Sequence, residues 1–89
     1  MSVYVLELEN DKYYIGYTEK GIVRVENHFA QGGSSWTRLH KPIKLISFKD
    51  GSKDLEKTTT IEYMKKYGWK NVRGAGWTSI NCLCPLEFR

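Results

Sequence analysis

Apolar, β-branched and aromatic residues crowd into Val3-Tyr4-Val5-Leu6-Glu7-Leu8 and again into Lys12-Tyr13-Tyr14-Ile15-Gly16-Tyr17. Glu9-Asn10-Asp11 between them carries turn chemistry, so the chain opens with a predicted antiparallel hairpin. Thr18 is a helix cap, and Ile22, Val25 and Phe29 recur at helical spacing before Gly32-Gly33, which predicts a helix over residues 19 to 31, weakened at Gly21. Ser34-Ser35 start a short second helix with Trp36 and Leu39 that must stop before Pro42, because the residue before proline disfavours helical angles. Ile43-Lys44-Leu45-Ile46-Ser47-Phe48 reads as a third strand closed by Asp50-Gly51. Ser52 then caps a helix over about 53 to 67, with Asp54 and Glu56 early, Lys65 and Lys66 late, and Gly68 after it, which complements the helix dipole at both ends. Residues 68 to 89 have no clean period and are predicted as mostly loop, with a short extended piece at 79 to 84.

The order is β-β-α-α-β-α plus a C-terminal tail. It predicts the α+β class: a small three-stranded antiparallel sheet packed with helices, in one domain over 1–89 with its core at about 3–67. A chain of 89 residues and 10.4 kDa exposes roughly 15,000 Å² unfolded and roughly 5,400 Å² folded, which suffices for one domain and excludes two. No apolar run is long enough to cross a bilayer, and Met1-Ser2-Val3-Tyr4 lacks the profile of a secretion signal, so a soluble, intracellular protein is expected. Cys82 and Cys84, two apart in a predicted extended piece, point to opposite faces, which opposes a disulfide and fits a reducing compartment. They also fall short of a four-ligand zinc site.

Charge sharpens the picture. The net charge is +4, and the stretch from 31 to 49 carries Arg38, Lys41, Lys44 and Lys49 without one acid, a local bias toward an anionic partner. Tyr4 and Tyr14 stand on the two hairpin strands, where they either share one face as a pair of phenols or simply cover the sheet. Arg24 and His28, four apart on the first helix, suit a phosphate group or form part of a solvated face. Glu62 lies on a stripe with Leu55 and Thr58; one such carboxylate with water suffices for Mg²⁺, although pairing with Lys66 is the plainer role. Glu56 is the competing carboxylate and neighbours the stripe of Tyr63 and Tyr67.

Taken in order, Val3-Tyr4-Val5, Tyr14-Ile15-Gly16-Tyr17-Thr18, Arg24-x-x-x-His28 and Glu62 on the helix after the third strand resemble the GIY-YIG nuclease domain. The resemblance covers about residues 3 to 67 and departs at the first motif, which lacks the preceding Gly-Ile. It implies a metal-dependent DNA endonuclease that hydrolyses phosphodiesters with one Mg²⁺ or Mn²⁺. Tyr4, Tyr14, Arg24, His28 and Glu62 would be the catalytic residues, Glu62 the metal ligand and Gly16 the motif glycine. Glu62 is preferred to Glu56 on its distance from Arg24 and on Thr58 at the small-residue position four before it.

DNA contacts are expected from Ser35, Trp36, Arg38, Lys41 and Lys44, and from Arg73 beside Gly74-Ala75-Gly76-Trp77. Trp36 and Trp77 are equally suited to packing in a small core. The alternative function is a DNA-binding or targeting module of the same fold with little cleavage, and target selection would come from a homodimer or a partner protein.

Overall fold

The computed structural model describes residues 1–75 and 77. Strand β1 (Ser2–Leu8) turns through a 3-10 turn at Glu9–Asp11 into strand β2 (Lys12–Thr18). Helix α1 (Val23–Gln31), helix α2 (Ser35–Leu39), strand β3 (Pro42–Asp50) and helix α3 (Lys53–Tyr67) follow. A second 3-10 turn at Trp69–Asn71 leads into strand β4 (Val72–Gly74).

The sheet is four-stranded and mixed, in the order β3-β1-β2-β4, with β1 antiparallel to both neighbours and β4 parallel to β2. This corrects the three-stranded antiparallel expectation. The three residues of β4 are too short a run to show a period, and Tyr13, Tyr14 and Ile15 pair with Val72, Arg73 and Gly74 only because α3 brings them alongside. The predicted piece at 79 to 84, with Cys82 and Cys84, lies outside the described residues.

Strand β1 is buried almost throughout because both faces of the sheet are covered. Tyr4, Leu6, Leu8 and Tyr14 pack with Val25 of α1 and Trp36 of α2, and Val3, Val5, Ile15 and Val72 pack with Met64 of α3. Strand β3 is an edge. Leu45 and Ser47 face Leu6 and Val5 while Pro42 and Lys44 face Leu8 and Glu7, so Ile43 and Ile46 are the extra residues of two bulges, and both are exposed.

Helix α1 starts at Val23, later than its periodicity predicts. Gly21 takes φ 69°, which a helix cannot contain, and residues 19 to 22 form a turn. The expected apolar seam of α1 is also revised: Ile22 and Phe29 are exposed, and Val25 and His28 are the buried residues. Helix α2 begins behind a capping box in which the Ser34 hydroxyl accepts from the Thr37 N–H and the Thr37 hydroxyl accepts from the Ser34 N–H.

Helix α3 has the predicted limits, but its inward stripe does not run along Leu55, Thr58 and Glu62. Thr60 and Met64 are buried one and two turns after Glu56, and Glu62 is exposed. The Thr60 hydroxyl donates to the Glu56 carbonyl at 2.7 Å, which satisfies it inside the core. Met64→Ala is therefore expected to cost about 2–5 kcal/mol of unfolding free energy in urea titrations, and Glu62→Gln to stay within about 0.5 kcal/mol of the wild type.

Candidate active site

Tyr4 and Gly16 are direct partners across the β1–β2 hairpin, and the Tyr4 ring lies over Gly16. A Cβ at residue 16 would fall on Cζ and Oη of Tyr4, so the absence of a side chain there makes room for the phenol. The Tyr4 hydroxyl meets Nε2 of His28 at 2.7 Å. Tyr14 completes the packing, with its ring centroid 5.0 Å from that of His28 and 6.3 Å from that of Tyr4.

The tautomer of His28 follows from its other nitrogen. Nδ1 accepts the Gly33 backbone N–H at 3.2 Å and stands 3.1 Å from the Thr37 hydroxyl, so Nδ1 carries no proton and Nε2–H donates to Tyr4. Burial, reinforced by the charge of Arg24, depresses the His28 pKa to about 4, and the imidazole is neutral at physiological pH.

Arg24 donates to the Gly33 carbonyl at 3.1 Å. It also acts on the Tyr4 hydroxyl, where its charge and its donor N–H groups favour the phenolate. Burial is the larger effect, followed by the Tyr14 phenol, and the Tyr4 pKa is raised overall; the charge of Glu56 acts in the same direction. Tyr14 is likewise held protonated, chiefly by burial, against Arg24 and a hydrogen bond to Ser34.

Glu56 is therefore the carboxylate whose field reaches both phenols. It is half-buried, accepts the Ala75 backbone N–H and feels the Lys53 charge, and burial raises its pKa. Glu62 does not join this group: it is exposed, and its field acts on Tyr63. Six residues on a helix turn through 600°, so the two carboxylates point about 120° apart and one pocket cannot use both. Spacing along the chain favours Glu62, whereas the phase of α3 favours Glu56.

The other expected positions divide. Trp36 is buried in the core, where its indole N–H donates to the Tyr13 carbonyl at 3.0 Å. Arg73 is 3% exposed, donates to the Trp69 and Val72 carbonyls and lies 4.3 Å over the Trp36 ring. Both turn their polar atoms to backbone carbonyls and pack against each other in the interior, an arrangement that favours a structural role over a DNA contact. Ser35, Arg38, Lys41 and Lys44 are exposed, and Arg38 and Lys41 line a concavity of about 310 Å³ with Phe29 and Pro42.

Two residues of this site carry no obvious signal in the sequence. The Gly33 backbone holds His28 through its N–H and Arg24 through its carbonyl, and a Cβ there would come 2.8 Å from Nδ1 of His28 and 3.0 Å from Nη1 of Arg24. Thr37, one turn into α2, faces His28 from a fully enclosed position. The capping signature Ser34-x-x-Thr37 is legible, but the second use of the threonine is not.

A family model described as the GIY-YIG catalytic domain matches residues 1–75. A UPF0213 protein of Streptococcus pneumoniae serotype 4 is 36% identical over 64 residues, 72% of this chain and 64% of its own length. A UPF0213 protein of Listeria monocytogenes serotype 4b is 34% identical over 68 residues, 76% of each chain. One from Haloquadratum walsbyi is 36% identical over 47 residues, 53% of each. The chain thus spans slightly less than two thirds of the pneumococcal relative. No solved structure matches it.

Because the folded His28 pKa lies below the unfolded value, its stabilisation is complete above about pH 6.5 and is lost as pH falls toward about 4. The difference in unfolding free energy between wild type and His28→Gln should shrink by about 2–3 kcal/mol between pH 7 and pH 4 in urea titrations. A constant difference contradicts a neutral, enclosed imidazole.

Proposed function

We infer that this chain, which belongs to the GIY-YIG family, is a nuclease that hydrolyses DNA phosphodiesters at the cluster around Tyr4. One observation carries the reading: the Tyr4 oxygen stands 2.7 Å from Nε2 of His28 and within reach of the charge of Arg24, while the field of a single half-buried carboxylate, Glu56, reaches the same phenol. A core that merely needed filling would not gather a guanidinium, an imidazole, two phenols and an acid.

The donor set fits a divalent cation. Among the described residues no group of three His, Cys, Asp or Glu gathers to form a complete protein cage. Mg²⁺ does not need one, since a single carboxylate plus water and substrate phosphate oxygens is an ordinary way to hold it. Glu56, rather than Glu62, is the residue to hold Mg²⁺ or Mn²⁺. When bound, the cation supplies charge stabilisation for the phosphate and leaving oxygen and neutralises the carboxylate that now favours the protonated form of Tyr4.

The chain's own residues do the rest. Arg24 stabilises negative charge on the phosphate, which its planar fork suits. Tyr4 releases its own proton to solvent and, as a phenolate held by the N–H groups of His28 and Arg24, takes the proton of the attacking water. His28 acts as a fixed neutral donor and not as the base, since its remaining nitrogen is occupied by Gly33. Tyr14, bonded to Ser34, orients water or a phosphate oxygen beside it. Gly16 keeps the space that Tyr4 occupies.

Nicking of supercoiled plasmid and of branched DNA with Mg²⁺ or Mn²⁺ tests the assignment. Glu56→Gln, Arg24→Ala and Tyr4→Phe are each expected to lower the cleavage rate at least about 100-fold with the fold retained by circular dichroism, as for loss of one electrostatic or acid–base group. Glu62→Gln is expected to cut within about twofold of wild type. Equal loss in Glu62→Gln and none in Glu56→Gln would return the metal to Glu62. Salt-dependent DNA binding without turnover in any metal would make the chain a binding module.

Gly16→Ala forces the Tyr4 ring aside, so it should lower the cleavage rate as far as Tyr4→Phe and cost about 1–3 kcal/mol of stability as well. Cleavage by Gly16→Ala at the wild-type rate would remove Tyr4 from the reaction.

A further inference from the structure

Between the β2–α1 turn and the first turn of α3 lies a groove of about 410 Å³, lined by Tyr17, Thr18, Glu19, Lys20, Arg24 and Lys53. Three of its six lining residues are cationic and one is acidic, and none belongs to the basic stretch from 31 to 49 that the charge pattern of the sequence singles out. The groove is continuous with the reacting cluster at two points. Arg24 lines it and also acts on Tyr4, and Lys53 lines it and also acts on the Glu56 carboxylate.

Local contacts place the two lysines of the groove. The Lys53 ammonium lies 5.7 Å from the centroid of the Tyr17 ring, whose face attracts a cation while leaving its full charge available. The Lys20 N–H donates to the Thr18 hydroxyl at 2.9 Å, which fixes where the Lys20 side chain leaves the turn. Lys20 and Lys53 are both exposed. A positively lined groove that ends at a guanidinium and a metal-binding carboxylate has the charge and the position to take the strand flanking the bond being cut.

We propose that this groove binds the DNA backbone next to the scissile phosphate, with Lys20 and Lys53 contacting its phosphates and Glu19 opposing them. The proposal rests on the nuclease reading for the identity of the ligand. Phosphate contacts of this kind position the strand without reading its sequence, so they set affinity and leave the chemical step alone. They also make binding steeply salt-dependent, because each neutralised phosphate releases counterions.

The test is binding of the full chain to a fluorescently labelled DNA duplex in EDTA, followed by anisotropy across a salt series. Lys20→Gln and Lys53→Gln are each expected to weaken binding about 3–10-fold on unrelated sequences and to flatten the slope of log K against log salt by about 1. Glu19→Gln is expected to tighten binding, a change of opposite sign that damage to the fold would not produce. Lys65→Gln, in the last turn of α3, serves as the control for general charge and should bind as wild type.

Wild-type affinity and slope in Lys20→Gln and Lys53→Gln overturn the groove, as does an equal loss in Lys65→Gln. The two readings fail separately. A wild-type protein that binds with these lysine effects but does not cut supports the groove and overturns the nuclease. One that cuts while the lysine variants bind normally overturns the groove alone. Absence of any DNA binding by wild type overturns both.

Discussion

The hydrogen bond between Tyr4 and His28 is the constraint on which the rest of the site depends. It joins β1 to α1 within the packed side of the sheet, and a buried polar pair of this kind must be satisfied at both ends. That requirement propagates outward. His28 needs a donor at Nδ1, which fixes the Gly33 backbone; Gly33 then faces Arg24 with its carbonyl, and Arg24 is left beside the phenol. The close approach of Tyr4 to Gly16 comes from the same arrangement, since the ring reaches α1 only by lying across its strand neighbour.

This network sets the electrostatics in a definite direction. Burial dominates at Tyr4, Tyr14 and His28 alike, so both phenols stay protonated and the imidazole stays neutral. The charges that act on both phenols are then those of Arg24 and Glu56. A site built this way responds to the charge of whatever binds beside Glu56, which suits chemistry that begins only when cation and phosphate arrive together. The lysine-lined groove follows the same logic, since it extends the positive side of the cluster toward solvent.

The limits of the sequence reading can be traced to particular residues. The hairpin and the limits of α3 are legible because strand and helix periods, a turn and glycine caps all agree over those segments. The ordered set Tyr4, Tyr14, Gly16, Arg24 and His28 is legible for a related reason: its members occupy fixed offsets on elements that are themselves well defined. The phase of α3 is hard to read because its buried residues are Thr59, Thr60 and Met64, with Glu56 half-buried beside them, and a threonine that bonds its own helix backbone reads as polar in a sequence but packs as apolar. Trp36 and Arg73 are the opposite case: aromatic and cationic residues near glycines look like a surface for nucleic acid, and here they stack on each other in the interior.

By itself the sequence determined the class of the protein, the sequence of its main elements and the family to which its spaced tyrosines, arginine and histidine belong, because all of these are local patterns or fixed offsets. Only the tertiary structure decided that a fourth strand adds in parallel, that Gly33 and Thr37 fix the tautomer of His28, and that the charge of Glu56 acts on the phenols of Tyr4 and Tyr14. The reason is geometric: which side of a helix faces a pocket depends on how its whole buried stripe docks, and no offset between two residues along the chain carries that phase.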